Sequence, residues 1–505
     1  MDVFRLDIHR KIMKKRLSKK QMIIFAIGQL GWSILGGLIG AFLVKFFLPT
    51  VDDKAAGAVQ YIAPGLVIGG FLTILGLITA LSRIFDAVTD PLIASLSDRS
   101  KNPKGRRIPF MKWAAIPFSV VTILMFCIDF GKYDSNLGWL NIVWVSVMIV
   151  LFYTFMTMYC TPYNALISEF GQNQEDRMFI STAISFTYLF GTILAYTPYV
   201  LGPALAGSLG FAWGHRVCFI VLAVIACVAM LLPTFLLKEK EFVEGEPSNE
   251  NVMRSLVSTF KNKDFRTFSL SDIMYWVGLT MFQTGLPYFV QVSMRFDSGF
   301  VIVFMGGMML LAAVFYPFVT KFVKKWGKKR LVIFGFLGLA LCYGIAAIAS
   351  IPGVCPDSGS SNGLSWLFGI LIMIISALPM ALLGIIPQSI IADVAEAEAI
   401  TTGQKREGMF FAARTFAMKF GQSLAMILFN SLAVALPDPA STADEIFPGK
   451  GGMILVAVAA VAFCVAGAVI LLFYREKKVM KTIAKEGDEA FMKAIESEKD
   501  SDEEK

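Results

Sequence analysis

The chain has 505 residues, of which 56% are hydrophobic and 17% charged, with 44 Phe and 25 Met, and its mean hydropathy is +0.65. A soluble protein of this length does not carry so apolar a composition, so the chain reads as an all-α polytopic protein of the lipid bilayer. The net charge of +8 would suit nucleic acid, but the lysines and arginines fall where membrane orientation places them, and no nucleic-acid partner is expected.

Residues 1–21 are a basic lead containing Arg5, Arg10, Lys11, Lys14, Lys15, Arg16, Lys19 and Lys20. It reads as an orientation signal that can also rest on anionic headgroups. Apolar windows follow near 22–48, 62–97, 110–130, 138–168, 179–201, 214–237, 268–293, 299–321, 330–351, 364–392, 408–436 and 451–474. Each can cross a hydrocarbon core of roughly 30 Å, which makes twelve spans. The first holds Gly28, Gly31, Gly36, Gly37 and Gly40, a spacing that suits close helix packing, with gating motion as a second reading. It follows a long basic segment and has no small-residue cleavage site, so no cleavable signal is expected. Six of the seven cysteines lie in apolar windows, which implies no disulfide framework.

The second window carries Arg83, Asp86 and Asp90 and runs into a basic loop. The i, i+3, i+7 spacing puts the three charges on one helical stripe, where the cation offsets two carboxylates. Pro91 removes one N–H and frees the carbonyl of Ala87, adding an oxygen acceptor at the kink. Such oxygens suit a hard cation, and the carboxylate pair can also share a proton. A structural ion-pair cluster is the alternative, but ionisable residues at membrane depth usually mark transport pathways.

Basic residues recur after the second span (Arg99, Lys101, Lys104, Arg106, Arg107), the sixth (Lys238, Lys240, Arg254, Lys261, Lys263, Arg266) and the eighth (Lys324, Lys325, Lys328, Lys329, Arg330). Loop 202–213 has none, and 352–363 has only Asp357. This asymmetry predicts that both termini are cytoplasmic. The expected organisation is an N-terminal bundle at 22–237, a cytoplasmic linker at 238–267 with at most one surface helix, a C-terminal bundle at 268–474 and a charged cytoplasmic tail at 475–505. Gly105-Arg106-Arg107 after span two is echoed by Gly327-Lys328-Lys329-Arg330 after span eight, as expected for parallel six-helix repeats.

No enzyme constellation is present. His9 and His215 are the two histidines, no C-x-x-C or G-x-x-x-x-G-K-[ST] element occurs, and no G-x-S-x-G elbow is present, since Gly359-Ser360-Ser361-Asn362-Gly363 falls in a short loop between apolar windows. Neither enzymatic activity nor a cofactor is expected beyond a coupling ion. What remains are polar groups on apolar helices: Arg83, Asp86, Thr89, Asp90, Thr157, Asn164, Gln283 and Lys419. Two half-bundles enclosing charges near the midplane point to a solute carrier with alternating access. Lys419 must snorkel or meet an anion, and Asp86 and Asp90 are its candidate partners. Arg106, Arg107, Asp393, Lys405 and Arg406 form a candidate cytoplasmic gate; Glu396 and Glu398 share that region, and a solvated face is the simpler alternative. Lys45 and Asp272 lie near span ends, where headgroup contact is the expectation. Tyr275 and Trp276 could stack on a ring, although aromatic residues in membrane helices are more often core filler.

Four stretches resemble the glycoside-pentoside-hexuronide:cation symporters, the melibiose-permease family of the major facilitator superfamily. They are Arg83-Ile84-Phe85-Asp86-Ala87-Val88-Thr89-Asp90-Pro91, Pro162-Tyr163-Asn164-Ala165-Leu166 with Glu169, Lys261-Asn262-Lys263-Asp264-Phe265, and Thr402-Gly403-Gln404-Lys405-Arg406-Glu407-Gly408. The likeness runs from about residue 22 to 475 with these stretches in family order. It implies the twelve-helix major facilitator fold and a cation site of Asp86, Thr89, Asp90 and Thr157, with Na⁺ as the metal candidate on the two aspartates. It also implies coupling roles for Arg83 and Lys419. Thr89 stands where melibiose permease has Asn. Ser33, Cys160 and Ile184 stand where it has a sugar-binding aspartate, a second aspartate and an arginine, so its galactoside grip is absent.

The expected activity is therefore Na⁺- or H⁺-coupled symport of a sugar or glycoside across the inner cell membrane, with the chain acting as a monomer. A same-fold carrier of a lipid or organic acid and a non-transporting membrane sensor are the alternatives. A pocket without those charges must rely on neutral groups and stacking, supplied by Gln29, Ser33, Cys160, Asn164, Tyr275, Trp276 and Gln283. Melibiose is expected to be a poor substrate, and a less polar glycoside or an amphiphilic metabolite a better one.

Overall fold

The computed structural model describes residues 16–98, 100, 102–103, 105–171, 174–242, 258–402, 407–442 and 444–484. Lys405 and Arg406 of the expected gate, residues 1–15 of the basic lead, half of the linker (243–257) and the far tail lie outside these residues. The helices are α1 (Lys19–Phe47), α2 (Val51–Ala55), α3 (Ile74–Asp98), α4 (Ile108–Cys127), α5 (Trp139–Phe170), α6 (Gln174–Ala195), α7 (Pro198–Leu209) and α8 (Phe211–Leu236). After the linker come α9 (Lys263–Tyr288), α10 (Phe300–Trp326), α11 (Lys328–Ala349), α12 (Gly363–Thr402), α13 (Glu407–Ala435) and α14 (Lys450–Leu472).

Among the described residues, ten helical segments, one of them α6 and α7 run together, are long and apolar enough to cross a membrane. With α3 (25 residues) and α9 (26 residues) there are twelve long helical segments. Those two fall short in composition because they carry the polar groups: Arg83, Asp86 and Asp90 on α3, and Asp272, Thr280, Gln283 and Thr284 on α9.

Three expected boundaries need correction. The second window begins in a loop: Gly65, Gly69 and Gly70 adopt φ of 86°, 62° and 76°, a region open to glycine, so helix starts only at Ile74. The fifth span breaks at Thr197-Pro198 and continues as α7, since Pro suits a first helical turn and not an interior one. The tenth does not end near 392 but continues to Thr402, carrying Asp393, Glu396 and Glu398 on its last turns. In the tail, residues 476–484 are helical. All seven cysteines are free thiols.

Gly28, Gly31 and Gly37 of α1 do serve close packing, whereas Gly36 and Gly40 face open space. A Cβ at Gly31 would meet the backbone of Ala226 on α8, and one at Gly37 would meet Ala195 on α6. Accordingly α1 packs on α6 and α8, α4 on α5 and α8, and α3 on α5. In the second half α9 packs on α13 and α14, α11 on α12 and α14, and α10 on α12. The main helix contact between these groups is α3 against α13.

The echo after spans two and eight is structural as well as sequential. Glu239, just past α8, accepts the backbone N–H groups of Arg106, Arg107 and Ile108, each at 2.8 Å. Glu476, just past α14, accepts those of Lys328 at 2.7 Å and Lys329 at 3.3 Å. Each carboxylate thus fills the orphan donors of a helix start, where the helix dipole also favours negative charge. Gly105 (φ 129°) and Gly327 (φ 80°) make the turn into each. The neighbouring side chains repeat too: Arg106 and Arg107 reach Glu169 on α5 at 3.2 and 2.9 Å, and Lys328 reaches Asp393 on α12 at 2.5 Å.

At the opposite end the halves are joined to each other. Glu445 binds Lys54 at 2.6 Å and Lys132 at 3.1 Å, and Arg295 binds Asp52 at 3.2 Å. Tyr288 donates to the Leu48 carbonyl at 2.7 Å, Ser298 to that of Tyr199 at 3.0 Å and Gln60 to that of Ile446 at 3.0 Å, while Tyr133 donates to Asp444. At the basic-loop end, the Arg106, Arg107, Lys328 and Asp393 pairs stay within one half.

Candidate functional site

The polar centre lies where α13 crosses α3. Asp86 is fully buried and Asp90 is half-buried one helical turn on. Thr157 of α5 donates to Asp86 Oδ1 and Asp90 Oδ1, 2.8 Å from each. One hydroxyl carries one proton, so it bridges the pair in alternation. Lys419 of α13 approaches from the other half, its Nζ 2.8 Å from Asp86 Oδ2 and 2.6 Å from Asp90 Oδ2. It also donates to the Asp86 carbonyl at 3.3 Å. Arg83 closes the group from one turn before, 3.7 Å from Asp86 Oδ2, with its guanidinium 4.3 Å above the Tyr153 ring.

Two carboxylates face two cations, so the formal charge of the cluster is zero, which is what permits its burial. Lys419 meets Asp86 Oδ2 as an ion pair without hydrogen-bond geometry, leaving that buried oxygen with no hydrogen-bond donor. A hard cation or a proton suits this acceptor set of carboxylate, hydroxyl and carbonyl oxygens.

The sequence-predicted residues do not all converge. Arg83, Asp86, Asp90, Thr157 and Lys419 come together. Thr89 stands beside them, but its hydroxyl donates to the Asp86 carbonyl of its own helix at 3.1 Å. Cys160 is half-buried on α5, one turn beyond Thr157. Gln29 and Ser33 are buried and bond each other, Gln29 Nε2 donating to Ser33 Oγ at 3.0 Å and Ser33 Oγ donating to the Gln29 carbonyl at 2.7 Å. Ser33 sits against Gly191 of α6. Asn164 is exposed on α5, near its charged-loop end. On α9, Tyr275 is buried with its ring centroid 5.3 Å from that of half-buried Trp276; Gln283 is half-buried two turns away. Gly421 lets α13 approach α9 at Trp276.

Two residues expected at headgroups are elsewhere. Lys45 is buried and paired with Asp53 beneath the joined end. Asp272 is buried and held bidentately by Arg414, at 3.0 and 3.3 Å. The chain supplies internal counter-charges for both, which is cheaper than carrying them to the interface. Arg414 carries the same signal as Lys419, a basic residue within an apolar span: it lies five residues before Lys419, about 140° around the helix, so it faces α9 while Lys419 faces α3. Tyr188 of α6 and Tyr316 of α10, within electrostatic reach of Tyr275, carried no signal, because single aromatics on apolar helices look like core.

A family model described as MFS/sugar transport protein matches residues 24–477. An uncharacterised symporter, YjmB of Bacillus subtilis, is 27% identical over 92% of this chain and 93% of its own. The isoprimeverose transporter of Lactiplantibacillus pentosus is 23% identical over 57% of this chain and 60% of its own. Among solved structures, the xylose transporter XylE from E. coli, in a partially occluded inward open conformation, superposes with a TM-score of 0.59 at 14% identity, covering 90% of this chain and 98% of that one.

Proposed function

Since the chain belongs to the MFS/sugar transport protein family and is a multi-pass secondary active transporter of a small molecule, we propose that it imports a sugar or glycoside together with Na⁺ or H⁺. The observation that carries this reading is Lys419 standing between Asp86 and Asp90. An ammonium of one half fills the place where the other half offers its oxygens, so the coupling ion and Lys419 compete for the same ligands. An arriving cation displaces the lysine, loosens α13 from α3 and lets the two halves change their relation. The bundles at 22–237 and 268–474 are the bodies that rock, with the linker at 238–267 spanning them.

The basic-loop end faces the cytoplasm of the cell membrane and both termini lie there, as the lysine and arginine distribution requires. The joined end, tied through Glu445 and Arg295, is then the outer face, and the arrangement is inward-facing. Substrate contacts fall to Cys160, Asn164, Tyr275, Trp276 and Gln283, backed by Gln29 and Ser33. Thr157 and Thr89 complete the cation site, and Arg83 balances its charge. A single chain contains both halves and so acts as a monomer.

The isoprimeverose relative supports a glycoside as cargo. Neutral Ser33, Cys160 and Ile184 favour a second reading, a less polar or amphiphilic solute. Proteoliposome uptake of a glycoside, organic-acid and lysolipid panel under imposed Na⁺ or H⁺ gradients tests both. Glycoside accumulation under one gradient is expected. Accumulation of none of the panel under either gradient overturns the reading, and robust uptake of melibiose at micromolar affinity overturns the inference from the three substitutions.

A further inference from the structure

A second site lies on the lipid-facing flank of the first half, away from the polar centre. The start of α4, the end of α8 and the turn at 239–241 enclose a groove of about 990 Å³. One wall is apolar and outward-facing: Trp113 is 79% exposed, Phe235 62% and Ile116 53%. On membrane-spanning helices such exposure is to acyl chains, and the Trp sits one turn inside a helix end, where interfacial aromatics gather.

The mouth is net basic, with Lys112, Lys238 and Lys240 lining it beside one acid, Glu241. Lys112 Nζ lies 3.9 Å over the Phe235 ring, which holds the ammonium at the boundary between apolar wall and loop. Lys238 meets Glu241 at 3.3 Å, whereas among the described residues neither Lys112 nor Lys240 has an ion-pair partner. The nearby Glu239 carboxylate is turned to the backbone N–H groups of the 106–108 turn, which it accepts with both oxygens.

We propose that this groove binds one anionic glycerophospholipid of the cytoplasmic leaflet, its phosphate among Lys112, Lys238 and Lys240 and an acyl chain along Trp113, Ile116 and Phe235. Basic recesses between membrane helices select anionic headgroups by charge. A zwitterionic lipid would bring its own ammonium toward three lysines, and a free phosphate would leave the apolar wall unused. The bound lipid ties the start of the linker to the first half. Membrane insertion is enough for the site to fill; only the choice of leaflet rests on the proposed orientation, which loop labelling tests separately.

The experiment is a thermal-shift and native mass-spectrometry titration of the full chain in neutral detergent. The probes are phosphatidylglycerol, phosphatidylcholine and sn-glycerol 3-phosphate. Phosphatidylglycerol is expected to bind one per chain and to raise Tm. The Lys112→Gln/Lys238→Gln/Lys240→Gln variant should weaken that binding by roughly fivefold per lysine, Trp113→Ala should weaken it too, and Lys324→Gln/Lys325→Gln, at the other basic loop, should leave it unchanged. If the triple variant does not fold, Lys112→Gln alone carries the comparison. Equal effects of phosphatidylcholine, or of glycerol 3-phosphate without chains, or an equal loss in the Lys324/Lys325 control, overturn the proposal.

Discussion

Lys419 Nζ stands 2.8 Å from Asp86 Oδ2, so an ammonium from the eleventh long helix neutralises a fully buried carboxylate of the second. Neither charge would be tolerable at that depth alone, and each makes the other's place possible.

Replacing Lys419 by Met therefore removes both a counter-charge and a competitor. We expect ion-driven accumulation to fail while cation affinity rises, because the remaining cluster carries a net negative charge. Stability should fall by about 3–5 kcal/mol when no cation is present, as for other broken buried pairs, and the added cation should restore part of it. Cation-dependent thermal shifts check this, and a Met variant with unaltered cation response would sink the competition model.

Asp86→Asn and Asp90→Asn keep side-chain size and remove charge. Substrate exchange should persist while gradient-driven accumulation is lost, since coupling requires differential interaction with the ion. Asp86→Asn should destabilise more, because fully buried Asp86 meets both Lys419 and Arg83 whereas half-buried Asp90 meets water as well. Accumulation at parental levels in both variants shows that the ion binds elsewhere.

At the joined end, Lys54 and then Lys132 hold the Glu445 carboxyl below its ordinary value of 4.5. A lowered value in the joined state means that this contribution is complete above pH 4.5 and fades as pH falls through the lowered value. Asp357, lowered likewise by Lys450, pairs within the second half, where it also faces Arg295, the partner of Asp52. Surface pairs of this kind contribute about 1 kcal/mol or less. Glu445→Gln should accordingly raise labelling of the joined end by up to roughly fivefold at neutral pH, and the parent should approach it only below pH 4.5. Equal labelling of parent and variant at pH 7 would show that Glu445 does not hold the ends together.

Gly105 offers a stability test of the internal repeat. A Cβ there would collide with the Glu239 carboxylate at a φ of 129° that side chains avoid. Gly105→Ala should cost roughly 1–3 kcal/mol in thermal denaturation. Gly363→Ala, which has open space at that position, is the control and should cost little. Gly327→Ala, whose nearest atom is 3.3 Å away, should fall between them.

Orientation is checked by Asn102→Cys. A membrane-impermeant maleimide should label it in inside-out vesicles and not in intact cells. Labelling in intact cells reverses the assignment of both ends.

Much of this molecule is legible along the chain. Apolar windows mark the long helices because each must bury its backbone and match a bilayer, and charge asymmetry marks the two ends. The stripe Arg83, Asp86, Asp90 announces the polar centre, because charge is too costly in such a helix to be incidental. Lys419 announces itself for the same reason, and its pairing with the aspartates could be read from charge balance, although Arg414 of the same span pairs elsewhere, with Asp272. The paired glycine-basic turns could be read as a repeat.

What only the tertiary structure decided is which partner each polar group takes. Lys45 and Asp272 sit where headgroup contact is the simple expectation, yet the turn after α1 brings Asp53 back to Lys45 and Arg414 comes to Asp272 through space, and no local pattern encodes a pairing across 142 residues. Gln29 and Ser33 turn toward each other, and Thr89 toward its own backbone, because a hydroxyl or amide accepts whichever neighbour packing supplies. The join through Glu445, Lys54 and Lys132 was silent for a further reason: loop charges look like solvated charges until the fold brings two distant loops within 3 Å. Composition and periodicity determine which segments cross the membrane, since each segment meets that demand alone. The contacts of the site depend on rigid-body placement of one half against the other, which is a property of the packed interface between α3 and α13 and of no single stretch.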